Sequence, residues 1–174
     1  IIQPSKKHLN LIAMINVHMG AGIGVYTGIL LSTFYARPIW SSSILGFVFL
    51  MSGLSSAAAL VMLMAPRREK LMFSKMDMYF ISLEGFATTL FIIGGITGSE
   101  NVRDAMYFLI SGPYAPWFWV VFVMGGMIVP LMLETLEAIG RIRFTVLVPL
   151  LVLTGSLTLR FIIVYAGQAF PTFA

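Results

Sequence analysis

Cysteine is absent from this sequence of 174 residues, and histidine is scarce. Without cysteine the chain itself forms no disulfide, no thiolate-bound iron–sulfur cluster and no thiol catalyst. The two histidines, His8 and His18, lie ten residues apart on one segment, whereas a bis-histidine haem takes its two ligands from facing helices. Nucleotide-binding loops, zinc motifs and nucleophile–base arrangements are also missing. We therefore expect this protein to bind no haem and no metal ion.

Charge is the second scarcity. Charged residues make up 10% of the chain and hydrophobic residues 59%, whereas soluble domains average roughly 25% charged. The net charge of +4 does not come from a basic stripe interleaved with exposed aromatic residues, so no nucleic-acid partner is expected. The composition predicts an all-α protein, a polytopic transmembrane helical bundle in a lipid bilayer.

Long apolar runs are what the sequence does contain. Five of them are long enough to cross a bilayer, and residues 1–174 are predicted to form a single transmembrane domain. The segment SENVRDAMYFLISGPYAP, after the third run, contains a short amphipathic piece. The chain begins with Ile and lacks a signal peptide design, so we expect it to be the later part of a longer polypeptide. The predicted helices span about 12–32, 44–65, 75–98, 117–133 and 144–167.

The distribution of Lys and Arg predicts the orientation of the bundle. Cytoplasmic loops of membrane proteins carry an excess of these residues. With five spans, the amino terminus shares one side with the loops after the second and fourth helices. Arg37 and Arg103 lie on the other side, and Arg160 lies inside the last helix. The bias places the amino terminus in the cytoplasm and the carboxyl terminus in the periplasm. The cations on the cytoplasmic side are Lys6, Lys7, Arg67, Arg68, Lys70, Lys75, Arg141 and Arg143.

Two carboxylates lie on the third predicted helix. Asp77 and Glu84 are seven residues apart, which places them on nearly one face and about 10 Å apart along the axis. An ionisable group within a span is costly unless it is paired, hydrated or neutral, and it is therefore a candidate for function. We predict a proton path from the cytoplasm, with Asp77 at its mouth and Glu84 deeper. The alternatives are an interfacial charge near Lys75 for Asp77 and a structural role for Glu84.

Arg160 is the corresponding cation on the last predicted helix. It lies about 10 Å from the helix end, with Ser156 and Gln168 along the same polar stripe. An arginine at this depth can snorkel outward, pair with a carboxylate, or bind an anionic or quinoid headgroup.

The first predicted helix has two distinct faces. Gly20, Gly24 and Gly28 recur every four residues, and small residues at this spacing let two helices pack closely. His18 and Tyr26 lie on the opposite face and suit a ligand with carbonyl or hydroxyl groups. The alternative is a tyrosine bonded to a neighbouring helix and a histidine bonded to a backbone carbonyl.

Two further patterns concern packing. The sequence SGLSSAAA at residues 52–59 contains Gly53 and Ala57, a small-xxx-small pair that predicts close helix packing. Pro130 interrupts the fourth predicted helix and frees the carbonyl of Gly126, so a kink is expected there.

In combination, several stretches resemble the NrfD/PsrC family, the quinone-interacting membrane subunits of respiratory oxidoreductases. That family typically has eight spans in two four-helix bundles, and the resemblance places the five predicted helices on the last five. The matching stretches are GVYTGILLSTFYARPIW (24–40), FLMSGLSSAAAL (49–60), the KMD…EG pattern (75–85), PWFWVVFVMGGMIVPLML (116–133) and LTLRFIIVYAGQ (157–168).

The resemblance implies a role in electron transfer. It implies a subunit of the bacterial cytoplasmic (inner) membrane, with no redox cofactor of its own, that binds menaquinone or ubiquinone near the outer surface. Electrons would pass to or from a ferredoxin-like iron–sulfur subunit, itself in contact with a molybdopterin or multihaem cytochrome subunit. Tyr26 matches the tyrosine of the family's YTG motif and is carried over as a quinone contact, with His18 beside it. Asp77, Glu84 and Arg160 match recurring intramembrane charges, for which the implied role is proton conduction.

Two other readings of the sequence stay open. In one, the protein is a fragment of a proton-coupled transporter whose substrate path is lined by Glu84, Arg160 and the interrupted fourth helix. In the other, it is a passive anchor that packs a partner and binds no quinone. None of the three readings makes the protein a catalyst on its own. The direction of electron flow, the quinone type, the terminal substrate and proton pumping are not determined by the sequence.

Overall fold

The computed structural model describes residues 6–33, 37–143 and 145–170, without the side chains of residues 6–9, 67 and 68. These ranges contain helices and no β-strand. A π-helix follows α4 and continues directly into α5. The helices are α1 (Lys6–Ser32), α2 (Ile44–Met64), α3 (Arg67–Ile96), α4 (Glu100–Ile110), the π-helix (Trp117–Ile128), α5 (Val129–Ala138) and α6 (Leu147–Ala169).

Five spans within the described residues are long and apolar enough to cross a membrane. They are α1, α2, α3, the π-helix together with α5, and α6. The predicted fold class, an all-α bundle with five spans, is confirmed, whereas the cytoplasmic placement of the amino terminus stays a prediction. The short α4 is amphipathic and buries Ala105, Met106 and Leu109 on one face.

Two helix boundaries differ from the prediction so that charged residues expected in loops lie within helices. The third span begins at Arg67, not near residue 75, because Pro66 occupies its N-cap and the basic residues after it are good helix formers. The fourth span continues to Ala138, not to residue 133. Pro130 lies at the junction of the π-helix and α5, and the chain stays helical through it. At the other ends, α1 starts earlier than predicted, at Lys6, and α6 starts at Leu147.

Helix α2 is the centre of the bundle. It packs against α1, α3 and α6, while the π-helix packs mainly on α6. Gly126 of the π-helix and Gly155 of α6 approach so closely that a Cβ on either would collide with the other's backbone. The helix crossing therefore depends on the absence of a side chain at both positions.

The small residues predicted to pack helices fall in different surroundings. A Cβ on Gly28 would collide with the backbone of Gly46 on α2, and Gly24 faces Leu50 of the same helix. Gly20 has open space around its Cα position. On α2, Gly53 lies beside the guanidinium of Arg160, and Ala57 is exposed.

The loop between α1 and α2 is tied to the carboxyl end of α6. Arg37 Nη1 donates hydrogen bonds to the carbonyls of Gly167, Gln168 and Phe170, at 3.2, 2.9 and 3.1 Å. The indole of Trp40 is buried, and its Nε1 donates to the carbonyl of Ile163 at 2.9 Å. A cation at the helix end pairs with carbonyls that have no partner within the helix.

Candidate functional site

Buried polar side chains converge in the interior between α2, α3, α5 and α6. They form two groups, which we name by their charged members. The acid cluster consists of Ser55, Asp77 and Glu134. The arginine cluster consists of Ser52, Ser56, Glu84, Ser156 and Arg160.

The acid cluster joins a carboxylate of α3 to one of α5. Asp77 and Glu134 are both 0% exposed, and their carboxyl groups interact with each other. The hydroxyl of Ser55 donates to Asp77 Oδ1 at 2.5 Å. Among the described residues, Asp77 Oδ2 and both carboxyl oxygens of Glu134 have no hydrogen-bond partner of ordinary geometry. The cluster thus contains three acceptor oxygens and no visible donor for them.

The arginine cluster is built on hydroxyl groups. Arg160 Nη1 donates to the carbonyl of Ser156 at 2.9 Å, to the hydroxyl of Ser156, and to the hydroxyl of Ser52 at 3.5 Å. The hydroxyls of Ser52 and Ser56 in turn donate to Ser156 Oγ at 2.9 and 2.7 Å. Glu84 is 3% exposed, and Ser52 and Arg160 are its stabilising neighbours. A buried carboxylate here has a cation nearby, with Ser52 in contact with both.

The two clusters form one polar line through the bundle. Asp77 and Glu84 lie two turns apart on α3, and the charge of Asp77 acts on Glu84. Glu137, one turn beyond Glu134 on α5, accepts a hydrogen bond from the backbone N–H of Thr145 at 2.8 Å and is attracted to Lys70. The line therefore runs from Lys70, near the start of α3, to Arg160 in the carboxyl-terminal half of α6.

Arg160 also lines an open groove on α6 with a volume of about 360 Å³. The rings of Phe161 and Tyr165 in this groove are stacked, with centroids 6.0 Å apart. A second groove of about 290 Å³ shares these two rings and extends to Tyr114 and Trp117. The first groove is completed by Leu157, Val164 and Gln168. One end of the polar line thus opens onto an aromatic surface.

The structure brings three of the predicted site residues together and leaves two apart. Asp77, Glu84 and Arg160 belong to the polar line, whereas His18 and Tyr26 lie on the exposed face of α1. Tyr26 is 62% exposed. His18 Nδ1 bonds to the carbonyl of Met14 at 2.8 Å, which is the alternative foreseen for it. Helix α1 packs on α2, and no described contact joins its exposed face to the groove.

Asp77 lies further into its helix than predicted. Ten residues of α3 precede it, and its side chain is fully buried within the bundle, so it is not at a helix start. The basic segment after Pro66 extends the helix and moves the end of the span away from Asp77. A path through Asp77 therefore needs further polar groups on its outer side, and Glu134 and Glu137 are in that position.

The predicted site does not include Glu134 and Glu137, because the fourth predicted helix ends at residue 133, before both of them. The predicted helix at 117–133 is shorter than the roughly 20 residues that a span requires. That shortfall was the available clue, since extension to Ala138 brings both glutamates inside the bundle. Within the described residues, no group of three or more His, Asp or Glu side chains is placed to hold a metal ion.

Comparisons with known proteins agree on one family. The family model described as "Polysulphide reductase, NrfD" matches residues 1–172. A polysulfide reductase subunit of Wolinella succinogenes is 31% identical over 168 residues, covering 87% of this sequence and 52% of the relative. Protein NrfD of Escherichia coli is 33% identical over 156 residues, with 84% and 49% covered. A Haemophilus influenzae NrfD homolog is 30% identical over 162 residues, with 86% and 50% covered.

The chain spans about half the length of these curated relatives. No solved structure matches it at a significant level.

Proposed function

The chain belongs to the NrfD family of polysulphide reductase membrane proteins, and from this premise we propose that it mediates quinone chemistry within a respiratory oxidoreductase complex. It is a multi-pass membrane protein. We place it in the bacterial inner membrane, with menaquinone or ubiquinone as its substrate. The name of the Wolinella relative designates one component of a multi-chain reductase, which supports a subunit role. The proposed electron partner is a ferredoxin-like iron–sulfur subunit, connected to a molybdopterin or multihaem cytochrome subunit.

The observation that carries this proposal is the polar line that ends at an open aromatic groove. Reduction of a quinone takes up two electrons and two protons, and oxidation of a quinol releases them, so the site needs acids and bases that connect to water. Ligand sites are apolar clefts of roughly 300–1,000 Å³ with a few placed polar groups. The groove at Arg160 has a volume of about 360 Å³ and an apolar lining with the polar side chains Arg160 and Gln168, and it is an open surface of α6.

Each side of the groove offers a contact suited to a quinone headgroup. The guanidinium of Arg160 can donate to a carbonyl oxygen, because it carries five N–H groups in a fixed fork. The stacked rings of Phe161 and Tyr165 can pack against the face of a quinone ring. Arg160 would hold and orient the substrate oxygen, and the hydroxyls of Ser52 and Ser156 keep the guanidinium in place.

Proton supply is the proposed role of the carboxylates. Glu84 lies next to Ser52 and Arg160, so a proton held by Glu84 is one hydroxyl group away from the groove. Asp77 lies two turns further along α3 and acts on Glu84 electrostatically. A carboxyl group in an apolar environment can hold a proton at neutral pH and release it to a neighbouring acceptor.

Glu84→Gln tests the proton role. Glutamine keeps the volume and the hydrogen-bonding capacity but cannot release a proton, so assembly should be intact while proton-linked quinone turnover falls about 10- to 100-fold. The measurement is quinone-dependent turnover and proton uptake by the complete complex in proteoliposomes. Glu100→Gln, at an exposed position on α4, is the matched control and should leave both rates unchanged. Unchanged rates in Glu84→Gln would remove Glu84 from the path.

A pair of tyrosine variants tests where quinone binds. Tyr165 lines the groove at Arg160, and Tyr26 lies on the exposed face of α1. Loss of one hydrogen bond from a hydroxyl should weaken quinone binding about 2- to 10-fold. The resemblance of Tyr26 to the tyrosine of the YTG motif predicts this loss for Tyr26→Phe. Tyr165→Phe tests directly whether quinone binds in the groove. Quinone affinity of the complex, measured by titration, distinguishes the two surfaces, and an unaltered affinity in Tyr26→Phe would exclude that residue.

A further inference from the structure

Glu134 lies on the outer side of Asp77, and the proton path proposed from Asp77, Glu84 and Arg160 gives it no defined role, although it is among the most deeply buried polar side chains. It is 0% exposed, and neither carboxyl oxygen has a hydrogen-bond partner of ordinary geometry among the described residues. Its carboxyl group is directed at Asp77. An unpartnered acid in the interior is costly, so its state requires a physical explanation.

The unpartnered atoms around Glu134 identify what is missing. Asp77 Oδ1 accepts from Ser55, whereas Asp77 Oδ2 and both oxygens of Glu134 lack a donor. Two ionised carboxylates would supply acceptors only. A single proton between them would turn one carboxyl group into a donor and give Asp77 Oδ2 its hydrogen bond. That proton is the smallest addition that removes the conflict.

The charged groups around the pair point the same way. On α3 the charge of Asp77 acts on Glu84, and on α5 the charge of Glu137 acts on Glu134. Lys75, two residues before Asp77, is exposed. Lys70 acts on Glu137, and Arg160 acts on Glu84. Among the described residues, the pair receives from α2 the neutral hydroxyl of Ser55, and no charged group of α6 is found to act on it. Lys70 and Arg160 thus act on the outer glutamates, and among the described residues no cation is found to act on Asp77 or Glu134. Like charges in the pair would therefore repel each other.

The position of Ser55 decides which acid carries the proton. A hydroxyl that donates to a carboxyl oxygen stabilises the ionised form of that group, and Ser55 donates to Asp77. Glu134 receives no such donor from the described residues. The hydrogen bonds thus favour an ionised Asp77 and a neutral Glu134.

We propose that Glu134 and Asp77 form an acid pair that binds one proton, in which protonated Glu134 donates to Asp77 Oδ2 while Ser55 donates to Asp77 Oδ1. The pair lies between Glu137 and Glu84 along the polar line. It therefore holds a proton on the side of Glu84 that faces away from the groove. Its place in proton delivery to quinone rests on the proposed function, but the binding of the proton does not.

Infrared spectroscopy of the complete, purified complex tests the pair without turnover. A protonated carboxyl group has a C=O stretching band that a carboxylate lacks, and this band shifts in D₂O. We expect Glu134→Gln to remove one such band per protomer, because the glutamine amide supplies the donor to Asp77 Oδ2 without any carboxylic acid. Glu137→Gln, one turn along the same helix, is the matched control and should leave the band in place, because Glu137 already accepts from Thr145.

Asp77→Asn provides the second variant. Glu134 should keep its protonated band in Asp77→Asn, at a shifted frequency because its acceptor has changed from a carboxylate to an amide. A band that survives in Glu134→Gln and disappears in Asp77→Asn would assign the proton to Asp77 and overturn the proposal. So would removal of the wild-type band by added Na⁺ at constant pH, since that would show a metal cation in the site.

The same preparations separate this proposal from the proposed function. If the wild-type complex binds no quinone but loses the band in Glu134→Gln, the acid pair stands and the quinone role fails. If quinone binds and turns over but no variant removes a protonated carboxyl band, the quinone role stands and the acid pair fails.

Discussion

The acid cluster and the arginine cluster are built from the same parts but differ in charge balance. Each combines serine hydroxyls of α2 with a carboxylate of α3. In the arginine cluster the third participant is the guanidinium of Arg160, whereas in the acid cluster it is the carboxyl group of Glu134. Between α2 and α3 there are therefore two buried carboxylates of α3: Glu84, which has a cation nearby, and Asp77, which faces another acid.

The difference shows how a bilayer-spanning bundle tolerates two carboxylates on one face. A buried carboxylate needs either an opposite charge or a proton. Arg160 on α6 supplies the opposite charge for Glu84. In the pairing proposed above, Glu134 on α5 supplies the proton for Asp77. Substitutions in each cluster should consequently have different effects, and the following predictions proceed from the largest to the smallest.

Arg160→Leu should have the largest effect. It removes the cation that acts on Glu84 and leaves that carboxylate buried without an opposite charge, at a cost on the order of 3 kcal/mol. Combination with Glu84→Gln should recover most of the loss, because the double variant contains no uncompensated charge. The measurement is thermal unfolding of the purified complex. A double variant no more stable than Arg160→Leu alone would show that Arg160 does not compensate Glu84.

Gly155→Ala should have an intermediate effect that is confined to one cluster. The added Cβ collides with the backbone of Gly126 and pushes α6 away from the π-helix, at a cost of about 1–3 kcal/mol. Ser156 follows Gly155 directly in sequence, so its hydrogen bond with Ser52 should be weakened. The acid cluster contains no residue of α6 and should be unaffected.

Thermal unfolding and the infrared band of the acid cluster test this separation. Gly20→Ala is the control, since a Cβ there meets open space, and it should be at least as stable as the wild type because alanine favours a helix over glycine. Loss of the protonated carboxyl band in Gly155→Ala would show that the two clusters are not independent.

Ser55→Ala should have the smallest effect. It removes the hydroxyl that donates to Asp77 Oδ1, and the loss of one hydrogen bond to a buried acid costs about 1–2 kcal/mol. The protonated band should remain but shift, because the proton is then shared between less unequal acids. Ser82→Ala is the matched control on α3, as Ser82 is exposed and donates only to the carbonyl of Met78. Equal stabilities of the two variants would argue against a role of Ser55 in the acid cluster.

The arginine cluster was largely predictable from the sequence and the acid cluster was not. Five apolar runs define the spans, and the spacing of seven residues predicts that Asp77 and Glu84 share a face of α3. Arg160 is conspicuous because it lies within an apolar run. The pairing of Glu134 with Asp77 depends instead on where the fourth span ends. Local patterns place helix ends poorly when charged residues continue a helix beyond its apolar part.

The π-helix explains part of that difficulty. The N–H of Val129 bonds to the carbonyl of Met124, five residues back, so the periodicity before Pro130 is not that of an α-helix. The face that Glu134 presents cannot be derived from a 3.6-residue repeat counted from Trp117. The prediction for His18 and Tyr26 was limited by a different factor. Their shared face on α1 follows from their spacing, but the neighbours of that face depend on tertiary packing.

The contacts of Arg37 have a consequence for the order of assembly. This side chain binds carbonyls 130 to 133 residues further along the sequence. During synthesis it is made after the first span, whereas its acceptors emerge only with the end of α6. Until then the guanidinium must be solvated at the membrane surface, and the loop before α2 remains unfastened. Attachment of this loop to α6 is thus a late step relative to the insertion of α1 and α2, and it waits for the synthesis of α6.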